Sequence, residues 1–139
     1  MIMCSTMIET YIEVPFSFYF KHCYKHAPDQ VKFLREEHPH DFDCLVTIEV
    51  LHNDRELEFY IVREFLNSKI VSIKRRTAKK ASCEMISDVI FSILQKEYGR
   101  DRKIMIRVKE DNKYGSFKVY TPKEADMVVR RKNNAQDNH

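Results

Sequence analysis

The sequence predicts an α+β domain in which a four-stranded antiparallel sheet carries two helices on one face. Apolar and polar residues alternate near the start of the chain and again from residue 38, and two more alternating segments follow Gly99. Between these groups lie two segments whose apolar residues recur at helical spacing. The resulting order of strand, strand, helix, helix, strand and strand is typical of a sheet that is covered on one side.

The first strand is predicted over residues 8–20, because its apolar residues share one parity: Ile8, Ile12, Val14, Phe16, Phe18 and Phe20. Pro15 lacks a backbone N–H and therefore indicates an edge strand or a bulge. His22 keeps the apolar parity, so we expect its imidazole on the face that the apolar residues bury.

The second strand is predicted to begin near His38, after a polar segment over residues 23–37 that indicates a loop or a short helical turn. Its apolar residues also share one parity, and both His38 and His40 belong to it. Asn53 and Asp54 end the pattern. The two strands are therefore expected to aim three histidines toward the apolar face of the sheet.

The helices and the last two strands follow from spacing and capping residues. The first helix is predicted from Phe59 to about Arg76, and the second follows Ser82, a suitable N-cap, and ends before Gly99. A hairpin is predicted after it, from two alternating segments and the turn between them: residues 104–108, 117–119 and 112–115.

Size and composition predict one domain. We assign residues 1–122 of the 139 to it and residues 123–139 to a polar, basic tail that is expected to be flexible. No apolar run approaches the roughly 18 residues that a membrane span needs. The cysteines follow no metal-ligand spacing, which favours free thiols in a cytoplasmic protein. The net charge of +3 is too small to indicate nucleic acid by itself.

Three histidines on the expected apolar face indicate a metal site. His38, Pro39 and His40 form a His-x-His pair, which places both imidazoles on one side of a strand. His22 from the neighbouring strand would complete a set of three nitrogen ligands with an open fourth position. Such a set is typical of a zinc ion that binds or activates a ligand. Three incidental histidines in an unrelated α+β domain are the alternative.

The segments around these histidines resemble the 6-pyruvoyl-tetrahydropterin synthase and 6-carboxytetrahydropterin synthase family, which has the tunnelling fold (T-fold). Phe16-Ser17-Phe18-x-x-x-His22 is similar to the family pattern F-x-F-x-A-A-H. His38-Pro39-His40-Asp41-Phe42 is similar to H-G-H-N-[YF]. The family's histidines bind zinc, so the resemblance implies zinc at His22, His38 and His40.

Three further segments resemble the family in the same order along residues 8–120. Leu57-Glu58-Phe59-x-x-Val62-Arg63 is similar to I-D-F-x-x-L-K, and Ala81-Ser82-Cys83-Glu84-x-Ile86 is similar to P-T-[SA]-E-x-L. Ile106-x-Val108-x-Glu110-Asp111 resembles V-x-V-x-E-[TS], whose glutamate anchors the pterin ring. The resemblance implies that Glu110 binds a pterin or nucleotide-like ligand. It also implies a homo-oligomer, typically a hexamer, whose sheets join into a barrel with sites at the subunit interfaces.

The family's proton carriers are missing from this chain. Leu34 stands where the family has a cysteine, and Ile73 lies where an Asp-His pair is expected. Glu36 or Glu37 is the candidate catalytic base, because some relatives carry a glutamate just before the histidine pair. General acid–base catalysis contributes roughly 10²- to 10⁴-fold, so the family's standard lyase reaction on dihydroneopterin triphosphate is not expected.

Three functions therefore stay open. The chain is a divergent enzyme that uses Glu36 or Glu37, or a silent module that holds a pterin or nucleotide through Glu110 and zinc. Alternatively, it binds nucleic acid or another polyanion through a basic stretch: Lys69, Lys74, Arg75, Arg76, Lys79 and Lys80. A solvated helix face is the simpler account of that stretch. Salt-sensitive binding to nucleic acid would favour the third function, and saturable binding of a small ligand would favour the first two.

Overall fold

The computed structural model describes residues 6–125, so Cys4 and residues 126–139 of the basic tail lie outside the described part. Its strands and α-helices are, in chain order, β1 Thr10–His22, β2 His38–Val50, α1 Phe59–Ser68, α2 Ile70–Thr77, α3 Cys83–Tyr98, β3 Ile104–Glu110 and β4 Tyr114–Tyr120. Two 3-10 turns, Asp29–Arg35 and Ala78–Lys80, precede β2 and α3. The predicted α+β class with four antiparallel strands is confirmed.

The sheet has the strand order β1-β2-β3-β4, and every neighbouring pair is antiparallel. Pro15 lies in β1 at an edge of this sheet, as its missing N–H predicted. β1 begins and ends two residues later than the predicted span of residues 8–20. It reaches His22 because its pairing with β2 continues to the end of the strand, where His22 faces His38.

One face of the sheet and the helices share a single core. α1 packs against β1, and α3 packs against β3 and β4. The core contains alternate strand residues and one stripe of each helix, among them Val14, Phe42, Ile48, Leu66, Ile73, Ile90 and Ile106. Each fully buried aliphatic or aromatic side chain stabilises the fold by roughly 1.5–3 kcal/mol. None of the described helices is both long and apolar enough to cross a membrane.

The first helix is interrupted, and the prediction of one continuous helix to Arg76 was wrong. α1 ends at Ser68 and α2 starts at Ile70. The Lys69 N–H bonds to the Leu66 carbonyl at 3.0 Å, a tight i to i−3 contact, and the Ser68 hydroxyl donates to the Phe65 carbonyl at 2.6 Å. Both contacts satisfy carbonyls that would accept i to i−4 hydrogen bonds in a continuous helix.

The caps of α3 are as predicted, whereas the last turn is displaced. The Ser82 hydroxyl accepts a bond from the Met85 N–H, and Gly99 ends the helix at φ 101°. The hairpin turns at Asp111 and Asn112, both in the left-handed region that these residue types tolerate. Gly115, expected in the turn, lies in β4, where a side chain would collide with the Val108 carbonyl.

Candidate metal centre

Three imidazoles meet where β1 ends and β2 begins. His22 lies directly opposite His38 in the β1–β2 ladder, and His40 follows on the same face, two residues along β2. The ring centroids are 4.5, 4.9 and 5.0 Å apart. One possible ligand nitrogen of each ring lies within 4.8 Å of the others. The structure thus brings together the three predicted metal ligands in a cluster that could hold a metal ion.

Each imidazole is held through its Nδ1 atom by an acceptor from a different part of the chain. His22 Nδ1 lies 3.2 Å from the Ala81 carbonyl, and His38 Nδ1 lies 2.7 Å from the Glu36 carbonyl. His40 Nδ1 donates to Asp111 Oδ2 at 2.6 Å. Because carbonyls and carboxylates only accept, all three Nδ1 atoms carry the proton. In a neutral ring, each Nε2 atom then presents a lone pair.

These three Nε2 atoms are buried, and none has a hydrogen-bond partner among residues 6–125. Burial lowers the pKa of His22 below its ordinary value, against the Ala81 carbonyl and the Glu110 charge, which raise it. The neutral ring is thereby favoured. Leaving one buried polar atom unsatisfied costs about 1–3 kcal/mol, so three at one point indicate a bound group. A metal held by imidazoles whose second nitrogens donate to carbonyls or carboxylates fits this arrangement.

Glu110 is the charged neighbour of the cluster. It lies at the end of β3 opposite Phe42, and its Oε1 and Oε2 atoms are each 3.5 Å from a ring nitrogen, Nε2 of His22 and of His40. The Cys83 thiol lies 3.9 Å from Oε1. Burial, with the charges of Glu110 and Glu84, raises the pKa of Cys83 to about 12. Cys83 is therefore a neutral thiol at physiological pH.

A pocket of about 480 Å³ opens beside the imidazoles. Its walls come from β1, the first 3-10 turn, the start of α3 and the β3–β4 hairpin, and include His22, Cys23, Leu34, His38, Lys80, Cys83, Glu84, Glu110 and Tyr114. Pockets of this size hold cofactor- and metabolite-sized ligands. A small molecule could thus lie against the histidine cluster and Glu110 together.

The two candidate bases, Glu36 and Glu37, do not line this pocket. The Glu37 carboxylate pairs with Lys79 Nζ at 3.2 Å. Glu36 contributes its backbone carbonyl to His38 and lies on the surface. A catalytic role for either residue stays a prediction. Leu34 lines the pocket, and Ile73 is buried in the core.

The side chains of the basic stretch contact different parts of the structure. Arg76 donates to the Ser92 hydroxyl of α3 at 2.8 Å, and Lys69 lies over the Phe65 ring at 5.4 Å. Lys79 pairs with Glu37, whereas Lys80 lines the pocket. A polyanion would therefore meet side chains that are directed to different neighbours.

Sequence reasoning did not assign a role to Asp111 or to Cys83 at the site. Asp111 Oδ1 accepts from the Asp41 N–H at 3.0 Å while Oδ2 holds His40. Its position next to Glu110 at a turn was a possible signal. The contact could not be predicted, because its partner His40 is 71 residues away in the sequence. Cys83 is buried in the core, and it also lines the pocket.

No protein-family model matches the chain, and comparison with curated proteins found none similar to it. Fold and site together define its class. It is an α+β protein with a four-stranded antiparallel sheet and a candidate three-histidine metal centre at one end of that sheet.

Proposed function

We propose that this chain is a zinc protein, a divergent relative of the 6-pyruvoyl-tetrahydropterin synthase family with the T-fold, that binds a pterin or purine-like ligand beside the metal. One observation carries the proposal: three buried imidazole Nε2 atoms converge without a hydrogen-bond partner among the described residues. The five sequence segments that resemble the family, and the pocket beside the imidazoles, support the choice of ligand.

The donor set supports zinc in particular. Three imidazoles leave a fourth position for a water molecule or a ligand oxygen, as in catalytic zinc sites. The Ala81 and Glu36 carbonyls and the Asp111 carboxylate orient the rings and keep each Nε2 free of a proton. When bound there, zinc would polarise a hydroxyl or carbonyl oxygen of the ligand.

Glu110 and Lys80 supply the remaining recognition. A carboxylate facing the pocket can accept from the adjacent N–H groups of a pterin or purine, and a charged acceptor makes such bonds short and strong. Lys80 at the wall of the same pocket offers a positive charge to a phosphate. An acidic and a basic group beside the candidate metal centre thus support this ligand class.

We do not expect the family's standard lyase activity. The two positions that carry the family's proton donors and acceptors hold Leu34 and Ile73, neither of which can move a proton. The Cys83 thiol stays neutral, with a pKa of about 12. If the chain is an enzyme, Glu36 or Glu37 must reach the ligand after breaking surface contacts such as the pair with Lys79.

Metal content tests the proposal directly. The parent protein, purified without added metal, is expected to contain close to one zinc per chain, and the double variant His38→Ala/His40→Ala is expected to contain none. His26→Ala is the matched control, because His26 is an exposed histidine outside the cluster. A parent that stays metal-free even after zinc is offered would contradict the proposal and favour the polyanion-binding alternative.

Assembly through sheet edges is part of the proposal. β1 and β4 are the outer strands of the sheet in residues 6–125, and unpaired edges are sites for strand pairing between chains. We expect a homo-oligomer, a hexamer by resemblance, in sedimentation experiments. A stable monomer at micromolar concentration would contradict this part and leave the metal site untouched.

A further inference from the structure

The geometry points to Glu110 as a fourth, displaceable metal ligand. This inference rests on the proposed function and goes beyond the anchoring role that the resemblance implies. The two carboxylate oxygens straddle the cluster, with Oε1 at 3.5 Å from His22 Nε2 and Oε2 at 3.5 Å from His40 Nε2. Oxygen lone pairs and nitrogen lone pairs repel each other, so this arrangement requires a positive charge between them.

A shared proton does not explain the 3.5 Å distances between Glu110 and the Nε2 atoms. A charge-assisted hydrogen bond from an imidazolium Nε2–H to Glu110 would be about 2.7–2.9 Å long; the neighbouring contact of His40 Nδ1 with Asp111, at 2.6 Å, is even shorter. Both contacts of Glu110 are well beyond that length. The Nδ1 atoms already carry the ring protons, because each faces an acceptor. In a neutral ring that single proton is on Nδ1, and at 3.5 Å no hydrogen bond joins either Nε2 atom to Glu110.

A metal ion between these atoms would explain the distances. Zinc–nitrogen and zinc–oxygen bonds of about 2.0–2.1 Å in a tetrahedron place neighbouring ligand atoms about 3.4 Å apart. The two Nε2-to-carboxylate distances of 3.5 Å agree with that separation. Each Glu110 oxygen therefore lies at the ligand-to-ligand separation of a tetrahedral site from one histidine nitrogen, Oε1 from His22 and Oε2 from His40.

The same carboxylate is accessible from the pocket. Its side chain is 29% exposed, and Glu110 lines the pocket where a ligand would enter. A ligand oxygen that takes the fourth position must displace Glu110, which is then free to accept from the ligand's N–H groups. The Glu110 carboxylate would thus bind either the metal or the heterocycle, but not both at once.

The first test compares Glu110→Gln and Glu110→Ala with the parent and with Glu84→Gln. Glu84 lines the same pocket, so its variant removes an equal charge without removing the proposed ligand. Zinc affinity is measured by competition with a chelator, and coordination by the visible absorption of the Co²⁺-loaded protein. Changing Glu110 is expected to weaken zinc binding by at least about tenfold, since loss of even an outer partner of a metal ligand costs 10- to 100-fold. It should also change the cobalt spectrum, whereas Glu84→Gln should leave the spectrum unchanged.

Added acetate tests whether Glu110 occupies the fourth coordination position of the metal. In Glu110→Ala, acetate should restore the parent's cobalt spectrum, because it supplies the missing carboxylate. In the parent, acetate should have no effect. A parent spectrum that titrates with acetate would overturn the inference, and this measurement needs no variant to fold. Equal zinc affinity and equal spectra in parent and Glu110→Ala would also overturn it. The proposed function would stand in both cases, and it fails separately if the parent binds no zinc.

Discussion

The two ends of the sheet carry buried polar clusters of opposite character. At the arginine end (Glu49, Glu56 and Arg102), where β2 finishes and β3 starts, the groups satisfy one another. Arg102 donates to Glu56 at 2.6 Å and to the carbonyls of Glu49 and Tyr98 at 3.0 Å. At the histidine end (His22, His38, His40 and Glu110), the three Nε2 atoms lie close together and have no hydrogen-bond partner within residues 6–125.

The difference separates a structural cluster from a candidate binding site. Glu49 and Glu56 also accept from the N–H groups of Lys103 and Leu51, so the arginine end is complete without any added group. A satisfied buried network stabilises a fold by itself, whereas an unsatisfied one costs free energy until something binds. A bound ligand would therefore stabilise the histidine end, whereas the arginine end is stabilised by its own side chains.

The largest expected effect is stabilisation of the histidine end by zinc. At free zinc about a thousandfold above its dissociation constant, the free energy of unfolding should rise by about 4 kcal/mol. His22→Ala should abolish this gain, because it removes one of three ligands. Chemical unfolding with zinc or with a chelator measures it. The comparison breaks down if zinc and chelator give the same unfolding curve for the parent.

Removing Arg102 should have the next largest effect, on stability alone. Arg102→Met should lower the free energy of unfolding by about 2 kcal/mol, since it leaves the partly buried Glu56 without its charged partner. Zinc affinity should not change, because the arginine end lies away from the metal. Arg100→Met, at an exposed arginine two residues away, is the control. A loss of zinc binding in Arg102→Met would show that the two ends are coupled.

Asp111→Asn should weaken metal binding by about 10- to 100-fold while the protein stays folded. The His40 bond holds the pKa of Asp111 below its usual range, so a carboxylate faces the ring at neutral pH. The amide is a poorer acceptor and orients His40 less firmly. Asp88→Asn is the control, since Asp88 bonds Lys118 and Tyr120 instead. Unchanged zinc affinity would mean that Asp111 does not position His40.

The smallest expected effect is a pH dependence at the arginine end. Burial by itself raises the pKa of Glu56, but the bond and charge of Arg102 and the Leu51 N–H outweigh it, so the pKa lies below 4.5. The folded state then binds the proton less readily than the unfolded chain does. The stabilisation is fully present above about pH 4.5 and is lost as the pH falls through the lowered pKa.

Unfolding of the metal-free protein between pH 7 and pH 3 measures this effect. The parent should be more stable than Glu56→Gln at neutral pH, and the difference should shrink in acid. Glu64→Gln, at an exposed glutamate of α1, should follow the parent across the whole range. A difference that grows in acid would mean that burial outweighs the Arg102 contact.

Much of the fold followed from local patterns. Alternation predicted the four strands, and Ser82 and Gly99 marked the ends of α3, because pleating and capping depend on residues within a few positions. The break at Lys69 did not follow from spacing. Buried residues keep helical spacing through α1 and α2, and the break depends on hydrogen bonds made by Ser68 and Lys69.

The sequence by itself determined that three histidines share the face of the sheet that carries the core, since parity along a strand is a local property. Only the tertiary structure decided what surrounds them. The pairing of β2 with β3 brings Glu110 to the ring nitrogens, and the left-handed turn at Asp111 aims its carboxylate at His40. Such contacts join residues 70 to 88 positions apart, and their geometry depends on strand register and turn conformation, which no local pattern encodes.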